Sequence, residues 1–351
     1  YNYQNWYPSV EYETNNTLTN VGLYDLSPFS KFEIKSEKAH EDLQRICTSN
    51  IKQEPGKCTY THMLNKDGGI ETDLTVVCID QNYFRIISSA ATRERDKFHI
   101  KKHLSDGVEL TDVTDDYCVF GIFGPKSRLL MQDLSSYDFS NENLKFANSK
   151  YIEIDGTKIW TQRLSYVGEL GYELYVKTSD SKNIYEKLIE KGKKYNLSNC
   201  GMHALDTMRM ESGFLHWGHD ISPEENQYQA GLNFTISYKK DFNFIGREAL
   251  EKIKDKKIDR KFAMFVLKNN EPGKPLLLHD EPIYKDDKIV GRTTSGNYSF
   301  NFKKNLAFGY INNDFSDDEL LNGNISIEIE KIKYPAEIIF KPLKQTNFKN
   351  N

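Results

Sequence analysis

The feature that most constrains this chain is a change of character near Lys257. Upstream, helix-spaced and strand-spaced apolar positions alternate; downstream, short extended segments follow one another with turn residues between them. Such segments are expected at 262–267, 276–278, 288–294, 307–311, 325–329 and 336–340. A run of that kind makes a compact all-β module of roughly 90 residues. The charged stretch 251–261 is the best linker, so the chain divides into an upstream region, 1–255, and a downstream one, 256–351. A length of 351 residues agrees, because it exceeds what one ordinary core organises. The polar end, 345–351, is expected to fray.

The upstream region mixes both kinds of element. Residues 32–34 read as extended, and Ala39, Leu43 and Ile46 at i, i+4, i+7 mark one helix face. Segments 74–79 and 83–87 are strands joined by the polar turn Asp80-Gln81-Asn82. A basic amphipathic helix is expected over 92–104 and a buried strand over 118–123. Gly124-Pro125 ends that strand, with Pro125 suited to the first turn of the next helix. Asp155-Gly156 is a two-residue hairpin signal between 151–154 and 157–163. Asp180-Ser181 can cap a helix carrying Ile184 and Leu188, and 202–211 is a further helix ended by Gly213. No uniform βαβ repeat emerges, which favours α+β lobes over a doubly wound sheet.

Bulk properties exclude several classes of partner. A net charge of −4 gives no global basic field for nucleic acid or anionic lipid. No apolar run approaches the ~20 residues that span a bilayer. The opening Tyr1-Asn-Tyr-Gln-Asn-Trp-Tyr-Pro8 has neither a charged leader nor an apolar core, so no signal peptide is expected. With no initiator Met, the chain reads as a piece of a longer polypeptide. Its five cysteines are scattered without a C-x-x-C pair, which argues against a disulfide framework or a zinc knuckle. The expected compartment is reducing: cytoplasm, or mitochondrial matrix in a eukaryote.

Four clusters carry chemistry. In Tyr166-Val-Gly-Glu-Leu-Gly-Tyr-Glu173, two glycines allow a tight turn into a strand, with Glu173 rigidly placed at its mouth. A carboxylate flanked by aromatic rings suits a flat ligand with several N–H donors; the plainer alternative is a structural hairpin with an exposed acid. Gly68-Gly69-Ile70-Glu71-Thr72-Asp73 delivers a chain turn into a buried strand with Asp73 at its entrance. Acids there usually cap or solvate a turn; Tyr60, on the preceding extended segment, is placed to stack beside Asp73. The glycine pair is no phosphate loop, since G-x-x-x-x-G-K-[ST] is absent. Arg209 sits among apolar neighbours and must find acceptors or reach a cleft, with an i,i+3 pair to Asp206 as the simplest outcome. His216-Trp-Gly-His-Asp220 invites a metal, but no third or fourth ligand stands at fixed spacing, so a structural or ligand-edge loop is preferred and no metal is expected.

Taken in order, these clusters resemble the folate-dependent aminomethyltransferase family of the glycine-cleavage system, and particularly the C-terminal folate-binding halves of dimethylglycine and sarcosine dehydrogenases. The likeness runs from Gly22-Leu-Tyr-Asp-Leu-Ser-Pro-Phe-Ser-Lys31 to about Ile311 and includes Ala90-Ala-Thr-Arg-Glu-Arg-Asp96, Phe214-Leu-His-Trp-Gly-His-Asp220, Phe244-Ile-Gly-Arg-Glu-Ala-Leu250 and Gly291-Arg-Thr-Thr-Ser-Gly296. It implies a cloverleaf of two interleaved α+β lobes and a C-terminal β-barrel around a central tetrahydrofolate pocket. By motif, Asp73 matches the aspartate near the folate N5 and N10 nitrogens. Tyr60 and Tyr166 match tyrosines of that site, Glu173 the glutamate on the pterin edge, and Arg209 a partner there. Phe29 stands where Met is frequent and keeps an apolar contact for the pterin face. Thr92 stands where the family often has Asn, which puts that contact in question. Only the second acid of a common Asp-Asp pair is kept, as Asp73.

The resemblance implies capture of a one-carbon unit from an N-methylated amine, such as dimethylglycine or sarcosine, to give 5,10-methylenetetrahydrofolate. Asp73 would be the catalytic residue. The cofactor would be tetrahydrofolate; no G-x-G-x-x-G is present, so FAD would belong to a separate dehydrogenase domain or subunit. Two alternatives stay open: a demethylase of the same fold using another methyl donor, and a non-catalytic folate-binding module such as the iron–sulfur assembly factors. Those factors carry a cysteine motif late in the chain, whereas the last cysteine here is Cys200.

Overall fold

Three sheets organise the molecule, and the order in which the chain visits them interleaves the first two. The computed structural model describes residues 4–269 and 271–345; residues 1–3 of the opening segment and 346–351 of the polar end lie outside them. The chain enters through the helix Tyr7–Thr19 and lays down the strand Val21–Asp25. It then leaves to build a separate antiparallel sheet in the order Cys58–Leu64, Ile70–Asp80, Tyr83–Ser88, Ser30–Lys35, Leu110–Asp112. It returns with Tyr117–Phe123, which pairs antiparallel with Val21–Asp25 on one edge and Gly171–Lys177 on the other. Thr157–Gln162 and Ser149–Ile154 extend that sheet on one side, and Leu197–Cys200 closes the other as a parallel neighbour of Val21–Asp25. The α+β lobes expected from the mixed periodicity are therefore present, the second inserted between strands of the first.

The downstream region forms a closed barrel in the order Arg260–Leu267, Lys304–Asn312, Lys288–Ser299, Pro282–Lys285, Ile325–Ile329, Ile332–Ile339. Phe265, Ile283, Ile311, Ile327 and Ile338 fill its centre from alternate positions along their strands. Five of the six expected extended segments lie on these strands. Residues 276–278 do not: the chain there is irregular and turns back, the Leu278 N–H donating to Glu281 Oε1 at 2.8 Å. The strand that takes its place, Pro282–Lys285, escaped notice because Pro282 and Lys285 dilute the apolar signal around Ile283. The helix Arg247–Ile253 also runs into the expected linker, leaving 254–259 as the connection.

Local signals upstream held in part. The Asp155-Gly156 turn has φ of +50° and +75°, as a primed hairpin turn requires. Asp180 stands at the N-cap of Ser181–Gly192 without a side-chain cap bond. Pro125 precedes the helix Ser127–Leu134 rather than occupying its first turn. The helix Tyr7–Thr19 had no clear signal, since its Asn-rich sequence has only a weak apolar face.

Candidate functional site

A cavity of about 1020 Å³ opens where the three lobes meet. Phe29, Tyr60, Asp73, Tyr166, Glu173 and Arg209 all line it. Residues from every sheet contribute: Asp73 and Ser88 from one, Gln162 and Glu173 from another, Ser295 and Phe308 from the barrel. No single lobe makes the site.

Glu173 is delivered by the turn that precedes its strand. Gly168 has φ +71°. At Gly171 a Cβ would stand 2.4 Å from the Phe123 ring and 2.7 Å from the Leu164 carbonyl, so only glycine lets the strand begin so close to its neighbours. Pleating then turns Tyr172 to the opposite face, where it packs edge-on to Phe139 at 5.4 Å. The ring on Glu173's own face is Tyr175, whose hydroxyl donates to Glu173 Oε2 at 3.0 Å. Burial pushes the Glu173 carboxyl up to about 7 against the opposing effect of that bond. Across the ladder Glu173 is level with Gln162, which is fully buried, lines the same cavity and leaves Nε2 without a partner.

Asp73 occupies the other wall, on Ile70–Asp80, with its side chain 19% exposed. Its Oδ1 is buried and has no hydrogen-bond partner. Burial raises its carboxyl to about 7, with Tyr60 opposing and Asp96 reinforcing the shift. Tyr60 is level with Thr75, so the residue directly across from Asp73 is His62, which sequence reasoning missed. Its only signal was the period of two along Tyr60-Thr-His62. Phe29 is half-buried against the aromatic core behind the cavity.

Tyr166 donates its hydroxyl to the Leu215 carbonyl at 2.7 Å and stacks on Phe214 at 5.9 Å. Thr92 is not on the cavity wall: its hydroxyl donates to Asp96 Oδ2 at 2.6 Å, and Ser88 and Thr72 join it on that buried carboxylate. The neighbouring Glu71 is taken by Arg95, which also lies over the Trp217 ring at 4.6 Å.

Arg209 does more than pair with Asp206. Nε donates to Asp206 Oδ1 at 2.7 Å, Nη1 to Asp220 Oδ2 at 2.5 Å and to the Phe214 carbonyl at 3.1 Å, and Nη2 to Ser295 Oγ at 2.8 Å. Asp220, fully buried, also accepts from Thr294, Ser295 and the His216 backbone N–H. The His-Trp-Gly-His-Asp loop is thus anchored by its aspartate on an arginine, with His216 and His219 on the cavity rim. Among the described residues no cluster suited to a metal ion occurs.

Comparison with known proteins explains this arrangement. Residues 1–240 match the GCVT N-terminal domain, and residues 260–344 match the glycine cleavage T-protein C-terminal barrel domain. The chain belongs to the glycine-cleavage T-protein family. An aminomethyltransferase from Halothermothrix orenii is 31% identical over 88% of this chain and 85% of its own. A dimethylglycine dehydrogenase, mitochondrial, from Rattus norvegicus is 32% identical over 97% of this chain but only 39% of its own, so the chain spans about two fifths of that relative. The crystal structure of glycine cleavage system aminomethyltransferase T from Bartonella henselae superposes with a TM-score of 0.85 at 20% identity, covering 96% of this chain and 90% of that one, which shows the shared fold. The family is one of folate-dependent one-carbon transferases.

Proposed function

We propose that this T-protein-family chain binds tetrahydrofolate in the central cavity and captures a one-carbon unit from an N-methylated amine such as dimethylglycine or sarcosine, giving 5,10-methylenetetrahydrofolate. The observation that carries this reading is the cavity wall itself. Asp73, Gln162 and Ser212 line it, and each carries a buried polar atom without a partner, whereas buried polar groups in folded proteins are nearly always paired. A ligand with several N–H groups and an acceptor fits that set, and about 1020 Å³ accommodates a large one.

In this reading Glu173 accepts two adjacent N–H groups from the pterin edge, and binding them returns its raised carboxyl to the ionised form. Phe29 and Tyr166 supply flat surface for the ring. Bound folate supplies the nucleophilic amines that take the carbon. Asp73, raised to about 7, is poised to accept a proton at Oδ1 near neutral pH and to steady a cation electrostatically while ionised. Arg209 lines the cavity beside the ligand and holds the Asp220 loop against the barrel.

The iminium form of the donor requires a prior oxidation, which we assign to a FAD-dependent dehydrogenase domain or subunit; a dehydrogenase relative more than twice this chain's matched length supports that division. The same reading divides the chain near residue 255 and places it in cytoplasm or mitochondrial matrix. Calorimetry with tetrahydrofolate and single-turnover transfer by wild type and Asp73→Asn provide the test. Binding in both with transfer only in wild type is expected. Undiminished transfer by Asp73→Asn would sink the assignment of the base, and absence of folate binding would sink the whole reading.

A further inference from the structure

Asp73 faces a histidine whose tautomer the fold dictates. His62 is fully buried, and its Nδ1 lies 3.0 Å from Thr235 Oγ1. That hydroxyl gives its hydrogen to the Leu232 carbonyl at 2.7 Å. A hydroxyl carries one hydrogen, so Thr235 can only accept from the ring, and the ring proton sits on Nδ1. Burial pushes His62 down to about 3, so the ring is neutral and Nε2 carries a lone pair. Two groups stand before that lone pair: the Tyr60 hydroxyl at 3.3 Å, which can donate to it, and Asp73 Oδ1 at 3.9 Å, which has no partner.

A lone pair repels an ionised carboxylate oxygen and accepts from a protonated one. We infer that Thr235 fixes His62 as the Nδ1–H tautomer, so that Nε2 acts as a positioning group that receives the proton-bearing Oδ1 of Asp73 and strengthens it as a base. Protonation at Oδ1 supplies the hydrogen for that bond and draws the separation toward hydrogen-bond length, the Tyr60 hydroxyl turning from Nε2 to its other acceptor, Asp73. The proton stays on Asp73; no charge passes to the buried ring. The other titratable groups around the pair are Tyr60 on the same strand as His62, Tyr166 from the loop before Gly171, and Asp96 on Arg93–Lys102, which acts on Asp73 in the same direction. The inference rests on the assignment of Asp73 as the base, but it is tested on the ligand-free protein, so its failure is distinct from a failure to bind folate.

Nitrogen-15 correlation spectra of histidine-labelled protein read the tautomer, with His62 assigned from His62→Gln. Isotope-edited infrared titration of aspartate-labelled protein reads Asp73, assigned against Asp73→Asn. Wild-type His62 should show hydrogen on Nδ1 and a bare Nε2. Thr235→Val removes the acceptor, lets hydrogen move to Nε2 and donate to Asp73, and should lower the Asp73 midpoint by about one pH unit. Thr235→Ser should restore the wild-type midpoint, and the acidic limb of single-turnover transfer should move with it. A wild-type Nε2–H tautomer, or an Asp73 midpoint unmoved by Thr235→Val, would overturn the inference. If His62→Gln does not fold, the Thr235→Val and Thr235→Ser pair decides alone, with His62 assigned by its response to Thr235→Val.

Discussion

Two polar clusters share the cavity, and they differ in one respect. Around Arg209 and Asp220 most donors and acceptors are matched: the guanidinium uses four of its five N–H groups, and the aspartate receives hydrogen from a guanidinium, two hydroxyls and a backbone N–H. Around Asp73 and Gln162 buried atoms are left open. A matched cluster joins the helix Met202–Glu211, the loop at 214–221 and the barrel strand Lys288–Ser299, which is a structural task. An open cluster has uncompensated burial that a hydrogen-bonding ligand or water relieves. Charge and burial alone do not separate the two clusters; the state of their hydrogen bonds does.

The contrast is easiest to break at its strongest point. Arg209→Ala leaves Asp220 buried with its charge uncompensated and should cost about 3–5 kcal/mol of stability. A denaturation midpoint close to wild type would mean the joint is not structural. Asp73→Asn should do the opposite, leaving thermal stability equal or higher while transfer falls about 10²–10⁴-fold, measured by single turnover. Glu173→Ala removes a charged acceptor and should weaken folate by ~1.5–3 kcal/mol, a change calorimetry resolves; a Kd within twofold of wild type would remove Glu173 from the pterin edge.

Smaller effects sharpen the same contrast. Glu173 is raised to about 7, so the folded protein binds more protons than the unfolded chain between that value and the ordinary glutamate range. Its burial therefore costs nothing at low pH and destabilises as pH rises through about 7. Ligand-free Glu173→Gln should match wild type below the ordinary glutamate value of 4.5 and melt on the order of 2 °C higher at about pH 8. Equal melting at both values would show that the carboxylate already has a partner. Gln162→Leu, which removes the unpaired Nε2 along with a long Cys58 Sγ contact to Oε1, should be neutral or slightly stabilising without folate. Its folate Kd should rise about fivefold, as loss of one neutral hydrogen bond implies.

Much of this was legible one segment at a time. The Asp155-Gly156 hairpin, the helix face of Ala39, Leu43 and Ile46, and most of the barrel strands follow from turn chemistry and apolar period, which are local. Residues 276–278 and Pro282–Lys285 were exchanged because a strand of four residues carries little periodicity of its own. Family motifs brought Phe29, Tyr60, Asp73, Tyr166, Glu173 and Arg209 to notice, and all six line one cavity. They did not distinguish what each does there. Arg209, matched by motif to a ligand partner, also bonds acceptors scattered from residue 206 to residue 295, which the sequence does not bring together. The contact put in question at Thr92 is not made from the cavity wall, because Asp96 takes its hydroxyl.

The sequence by itself determined the division into α+β lobes and a β module, the turns that deliver Asp73 and Glu173, and the kinds of side chain available. These are properties of neighbours along the chain, where φ preference and apolar spacing act. Only the tertiary structure decided which polar groups are satisfied. His62 lies level with Asp73, its other nitrogen meets Thr235, and Gln162 lies beside Glu173 because strands distant in sequence pair in one register. Hydrogen bonds are counted in space, so the open atoms that distinguish a binding wall from a joint exist only once the three lobes have closed on each other.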